Sequence, residues 1–222
     1  MTVTSTVVLG LTLTLAFLLT SPSAAQADDA SPRTEFPLRP NDIGAYVDVV
    51  QKRLAWLGYP ISAHERSQMM LGRTTLQALH DFEDKFGYAR TDIVDTRTWS
   101  RLRRIAGPVG TLPGQCTEES RAICVDTRTK LVRLVVEGKV VLTADARFGV
   151  LGESTRQGTF RVQQRSKDHF STLFHTSMPY ALFFSGGQAI HYSPWFARDG
   201  YAGGSHGCVN LRDRSTAIAL FD

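Results

Sequence analysis

The apolar residues of this chain change period midway, at the segment Gly107-Pro108-Val109-Gly110-Thr111-Leu112-Pro113-Gly114. Before it, Ile43, Val47, Val50, Leu54 and Leu57 recur at intervals of four, three, four and three. That spacing lines one face of a helix, with Gly58 placed as its C-terminal cap. Leu76, Leu79, Phe82 and Phe86 repeat the pattern and stop at Gly87, and a third helix starts at Asp95 as N-cap and carries Trp99 and Leu102. After the break the runs Ala122–Asp126, Lys130–Val136 and Lys139–Ala146 are rich in Val, Leu and Ile, and Glu137-Gly138 separates the last two as a hairpin turn. Gly158–Arg165, Ala181–Phe184 and Ala189–Tyr192 read as further strands, with one short helix beginning near Asp213. The expected class is α+β: a small three-helix unit over residues 42–107, then a mainly-β unit over residues 121–222, barrel- or sandwich-like. Two linkers, residues 28–41 and 108–120, flank the helical unit.

The first 27 residues hold no charged side chain, and an apolar run from Val7 to Leu19 leads into small residues ending Ala25-Gln26-Ala27. The run is too short to span a bilayer comfortably, so residues 1–27 read as a secretory signal peptide of an exported protein. The net charge of +4 suits an anionic cell-wall or membrane surface, and an ordinary solvated surface equally. No aromatic-interleaved basic motif and no zinc-finger spacing points to nucleic acid.

Three cysteines are present. The spacing of Cys116 and Cys124 permits a disulfide in an exported protein without requiring one. Cys208 is then the odd thiol, and its surroundings suit a nucleophile. Gly203-Gly204 allow a sharp turn into Ser205-His206-Gly207-Cys208, and Gly207 removes bulk beside the thiol so that backbone N–H groups can approach a substrate oxyanion. His191 lies 17 residues upstream at the end of an expected strand, and a hairpin-like excursion through Ser193-Pro194 and Asp199-Gly200 can bring it back beside Cys208. His206 fits a bracing role better than that of base, while His64, His80, His169 and His175 read as structural. A zinc site from His191, His206 and Cys208 lacks paired-ligand spacing and a fourth ligand, so no metal is expected.

With His191, thirteen intervening residues, and then Ser205-His206-Gly207-Cys208-Val209-Asn210-Leu211, residues 121–222 resemble the L,D-transpeptidase catalytic domain of the YkuD type. Leu54-Ala55-Trp56-Leu57-Gly58-Tyr59, Gly72-Arg73-Thr74-Thr75, Phe82 and Thr98-Trp99 resemble the peptidoglycan-binding domain of cell-wall enzymes. Its usual Asp-Gly loop pairs are replaced here by Ser67-Gln68-Met69-Met70 and Ile93-Val94-Asp95. The first resemblance implies Cys208 as nucleophile, His191 as base, and Ser205, His206 and Gly207 shaping the loop and oxyanion hole. It implies an apolar wall beside the site from Met178-Pro179-Tyr180 and Phe183-Phe184, substrate contacts at Tyr180, Phe184, Ser193 and Asn210, no cofactor, and peptidoglycan stem peptides as donor and acceptor, with no stable partner protein. Tyr192 stands where many members carry a small residue, so a backbone carbonyl is one way to orient the imidazole. The implied reaction forms 3→3 cross-links with loss of D-Ala. Hydrolysis at the same site, or a wall-binding protein with a decayed site, are the alternatives. A papain-like hydrolase is disfavoured because those place Cys before His.

Overall fold

The structure, a computed structural model, describes residues 36–222. The expected signal peptide and residues 28–35 of the first expected linker lie outside the described residues. No helix among the described residues is long and apolar enough to cross a membrane.

Among the described residues, four helices precede the sheet: α1 (Ala45–Trp56), α2 (Ala63–Gln68), α3 (Arg73–Lys85) and α4 (Thr96–Ala106). The apolar spacing read from the sequence is the buried face from Val47 onward, whereas Ile43 precedes α1 and is 68% exposed. Val47, Val50 and Leu54 of α1 meet Leu79 and Phe82 of α3 and Trp99 and Leu102 of α4 in one core. Asp95 caps α4 by accepting from the Thr98 N–H at 2.7 Å. Gly58, at φ +88°, ends α1 in a left-handed turn in which the Tyr59 N–H returns to the Leu54 carbonyl. Helix α2 was not expected: its residues are mostly polar, and only the Ser62 cap on the Glu65 N–H announces it.

A short 3₁₀ turn (Gly114–Cys116) then leads to β1 (Arg121–Asp126), β2 (Leu131–Val136), β3 (Lys139–Arg147), β4 (Gln164–Ser171), β5 (Thr176–Ser185) and β6 (Gln188–Tyr192). After these come α5 (Pro194–Asp199), β7 (Val209–Leu211) and α6 (Arg214–Phe221). The expected mainly-β half takes the form of one mixed sheet of seven strands, in the order β1-β2-β3-β7-β6-β5-β4. Every neighbouring pair is antiparallel except β6 and β7, which run parallel across the α5 crossover. The fourth strand starts at Gln164 rather than Gly158, because residues 158–163 form no ladder. Cys116 and Cys124 are disulfide-bonded, tying the 3₁₀ turn to β1.

The helical and β halves share packing. Leu131 of β2 is buried in the helical core, which contributes about 2 kcal/mol relative to an exposed side chain. Arg133 donates to the Trp56 carbonyl at 2.7 Å and lies over the Trp56 ring. Lys85 buries all but 2% of its side chain and donates to Asp145 of β3 at 2.7 Å, while Arg212 reaches the other oxygen of Asp145 at 3.3 Å.

Candidate active site

The parallel register of β6 and β7 assembles the candidate residues. Ile190 pairs with Val209, His191 with Asn210 and Tyr192 with Leu211. Ile190, Val209 and Leu211 point into the core beneath α6. Alternation therefore sends His191 and Asn210 to the opposite face. Cys208, one residue before β7, shares that face and packs among Ala181, Ala189, Met178 and Phe183. The thiol and the imidazole are diagonal neighbours there, one same-face step of about 6.6 Å apart along the strands.

The imidazole is 5% exposed. Its Nδ1 lies 2.7 Å from the Tyr192 carbonyl oxygen. A carbonyl only accepts, so Nδ1 carries the proton and Nε2 keeps its lone pair. A backbone carbonyl thus orients the ring, and the bulk of Tyr192, which packs toward the α6 side, is irrelevant to that role. Burial lowers the His191 pKa, the Tyr192 carbonyl and the Asn210 side chain oppose this, and nearby His169 adds to it; the result is about 4. Burial likewise raises the Cys208 pKa, against a hydrogen bond from the Ala189 backbone. Both shifts favour the uncharged forms of the thiol and the imidazole.

Ser205 is the staple of the turn. Its hydroxyl donates to the Cys208 carbonyl at 2.6 Å and accepts from the Gly207 N–H at 3.2 Å. Its backbone is clamped by Phe148 and Val150 of the neighbouring loop at 2.9 and 3.0 Å. Gly207 sits at φ +106°, and a Cβ there would penetrate the Gln188 carboxamide. Gln188 in turn holds the Ser154 carbonyl and the Arg156 N–H. This buttress was not anticipated, since nothing in the sequence marks a glutamine at a strand start.

Other expected residues fall elsewhere. Tyr180 and Phe184 pack with the α6 core, on the sheet face away from the thiol, so they do not form the expected apolar wall. The two-residue alternation of β5 breaks at Tyr180, whose φ is +58°. Phe183 and Met178, the other residues expected in that wall, do stand beside the thiol. Ser193 is buried, and its hydroxyl caps α5 at the Phe196 N–H. His206 turns outward, stacked on Phe174 with ring centroids 4.1 Å apart and 3.6 Å from Glu153, rather than bracing the loop from within. His169, read as structural, lies edge-on to Phe183 at 4.8 Å and close enough to bias the charge of His191. No group of three His, Cys, Asp or Glu among the described residues is arranged to hold a metal.

Residues 120–222 match the YkuD family, described as the L,D-transpeptidase catalytic domain. No curated protein matches the chain. Among solved structures, an L,D-transpeptidase (Yku) from Stackebrandtia nassauensis is 22% identical with a TM-score of 0.51, covering 84% of this chain and 91% of that one. An L,D-transpeptidase from Xylanimonas cellulosilytica is 23% identical with a TM-score of 0.48, covering 86% and 93%.

Proposed function

We propose that this chain, whose residues 120–222 match the L,D-transpeptidase catalytic domain of the YkuD family, is an exported enzyme that forms 3→3 peptidoglycan cross-links through a thioacyl intermediate on Cys208. The observation that carries this reading is the locked tautomer of His191: Nδ1 is held by the Tyr192 carbonyl, which leaves Nε2 as a base on the face it shares with Cys208.

Cys208 Sγ attacks the carbonyl between the third and fourth residues of a donor stem, and its proton passes to His191 Nε2. A neutral pair suits this order, because the thiolate forms only as the sulfur–carbon bond forms. The Gly207 N–H is committed to Ser205, so the His206 and Cys208 N–H groups are the loop's candidate donors to the oxyanion. The carbon–nitrogen bond then breaks, His191 returns the proton to the departing D-Ala amine, and a thioester remains. The amine of a second stem attacks the thioester and gives its proton to His191, the carbon–sulfur bond breaks, and His191 passes the proton to the departing Sγ to restore the thiol. Ser205, Gly207 and Asn210 act as positioning residues.

Intact-mass measurement tests the assignment. Incubation with a stem tetrapeptide or a carbapenem is expected to add one covalent adduct to the wild type and none to Cys208→Ala. An unmodified wild type, or an equally modified variant, defeats it. Adding an amine acceptor separates cross-linking, which yields dimer, from hydrolysis, which yields only free acid.

A further inference from the structure

Beside the Ser205 turn runs an open groove of about 790 Å³. Lys130, Arg147, Gly149, Thr155, Gln157 and Tyr201 line it, and none of its lining residues is acidic. Arg147 is 7% exposed. Its Nη1 donates to the Gly200 and Ala202 carbonyls at 3.0 and 2.7 Å, and its Nε is buried with no hydrogen-bond partner. Asp199, the charge that partly offsets its desolvation, is already held in the fork of Arg198. Lys130 donates to the Lys85 carbonyl at 3.0 Å and lies 4.7 Å from the centroid of the Tyr201 ring. The carboxylate nearby, Asp145, is occupied by Lys85 and Arg212. One end of the groove therefore holds more positive charge than its surroundings neutralise, and desolvated cations left in that state favour an anionic ligand.

The groove also adjoins the reacting loop. Phe148, Gly149, Val150 and Gly203 form part of its wall, and the Phe148–Val150 segment is hydrogen-bonded to Ser205. The Thr155 hydroxyl accepts from the Gly149 N–H at 3.1 Å, which fixes the opposite lip. A peptide lying in this groove runs alongside the turn that carries Cys208, so its anionic group belongs to the reacting chain rather than to a separate ligand.

We propose that the groove binds a stem peptide through one of its internal carboxylates, with Lys130 and Arg147 as the charged partners. The proposal rests on the thiol reading above. It makes the enzyme selective for stems that keep that carboxylate free over stems in which it is a carboxamide.

The test uses the chain from residue 28 to its end and tetrapeptide stems in which internal carboxylates are replaced by carboxamides one at a time. Cross-link formation is followed by mass spectrometry at saturating partner stem. For one position, amidation is expected to raise KM about tenfold in the wild type, which corresponds to about 1.4 kcal/mol. Lys130→Gln is expected to remove most of that difference, and Lys130→Glu to reverse it. Alkylation of Cys208 by iodoacetamide, which carries no carboxylate, checks that the turn is intact in each variant. Equal use of every amide and acid by the wild type overturns the proposal, as does an undiminished preference in Lys130→Gln. Competition by inorganic phosphate without any acid–amide preference overturns it too, in favour of a free-anion site. A wild type that forms no adduct on Cys208 with any stem defeats the thiol reading, whereas adducts without charge preference defeat only this one.

Discussion

His191→Gln is expected to flatten the acid side of the stability curve. An imidazole in an unfolded chain titrates near 6.5, whereas burial brings that of His191 to about 4 in the folded protein. The folded state thus binds fewer protons than the unfolded state between those two values, so acidification favours unfolding. From pH 7 to pH 5 the linkage amounts to about 2 kcal/mol lost, with a limiting slope of about 1.4 kcal/mol per pH unit. Glutamine does not titrate, and all other groups are common to both proteins. Urea unfolding of wild type and variant at pH 7.0, 6.0 and 5.0 isolates the difference of slopes from any constant cost of the substitution. The wild type should fall further than the variant by about 2 kcal/mol at pH 5. Parallel curves would refute the buried neutral imidazole. A wild type that gains on the variant at low pH would indicate a charged imidazole paired with a thiolate, and with it a different first step.

Two further outcomes follow from the same contacts. Gly207→Ala places a methyl group against Gln188 at a backbone angle that L-residues rarely adopt, so it should slow adduct formation on Cys208 by more than tenfold and cost about 1–3 kcal/mol; near-wild-type rates in a stopped-time mass assay would contradict the buttress. Asp145→Asn leaves the buried Lys85 ammonium without its counter-charge and should cost about 3–5 kcal/mol in urea unfolding, while Lys85→Met with Asp145→Asn should recover a large part of it.

The helical half was legible because its signals are local. The intervals of Ile43 to Leu57, the Asp95 cap and the Gly58 terminus depend only on neighbours within a turn or two. Helix α2 and all of strand β4 beyond Arg165 escaped because neither carries an apolar stripe: Ala63–Gln68 is polar nearly all round, and Gln164–Ser171 lies at the sheet edge with mostly exposed residues. Helix α5 was announced by Ser193-Pro194, a cap followed by proline at the first helical position, yet the pair also suits a turn. At the site, Cys208 stood out as the odd thiol in a glycine-rich loop and His191 through the resemblance to the YkuD domain, but their common face comes from the parallel pairing of β6 and β7, which no local pattern encodes. Tyr180 and Phe184 show the converse. An apolar run does not say which face each residue takes, and the positive φ at Tyr180 shifts the alternation. Gln188 and Lys130 were invisible because their importance lies in what they touch across the fold.

Leu131 in the helical core, with Arg133 on Trp56, has a consequence for descent. Two halves that look like exchangeable parts along the chain are fitted to each other across β2. Recombination that replaced residues 42–107 with another helical module would strand an apolar leucine and a buried guanidinium against a foreign surface. Lineages carrying this arrangement are therefore expected to inherit both halves together, with substitutions at Trp56, Leu131 and Arg133 accumulating in step rather than independently.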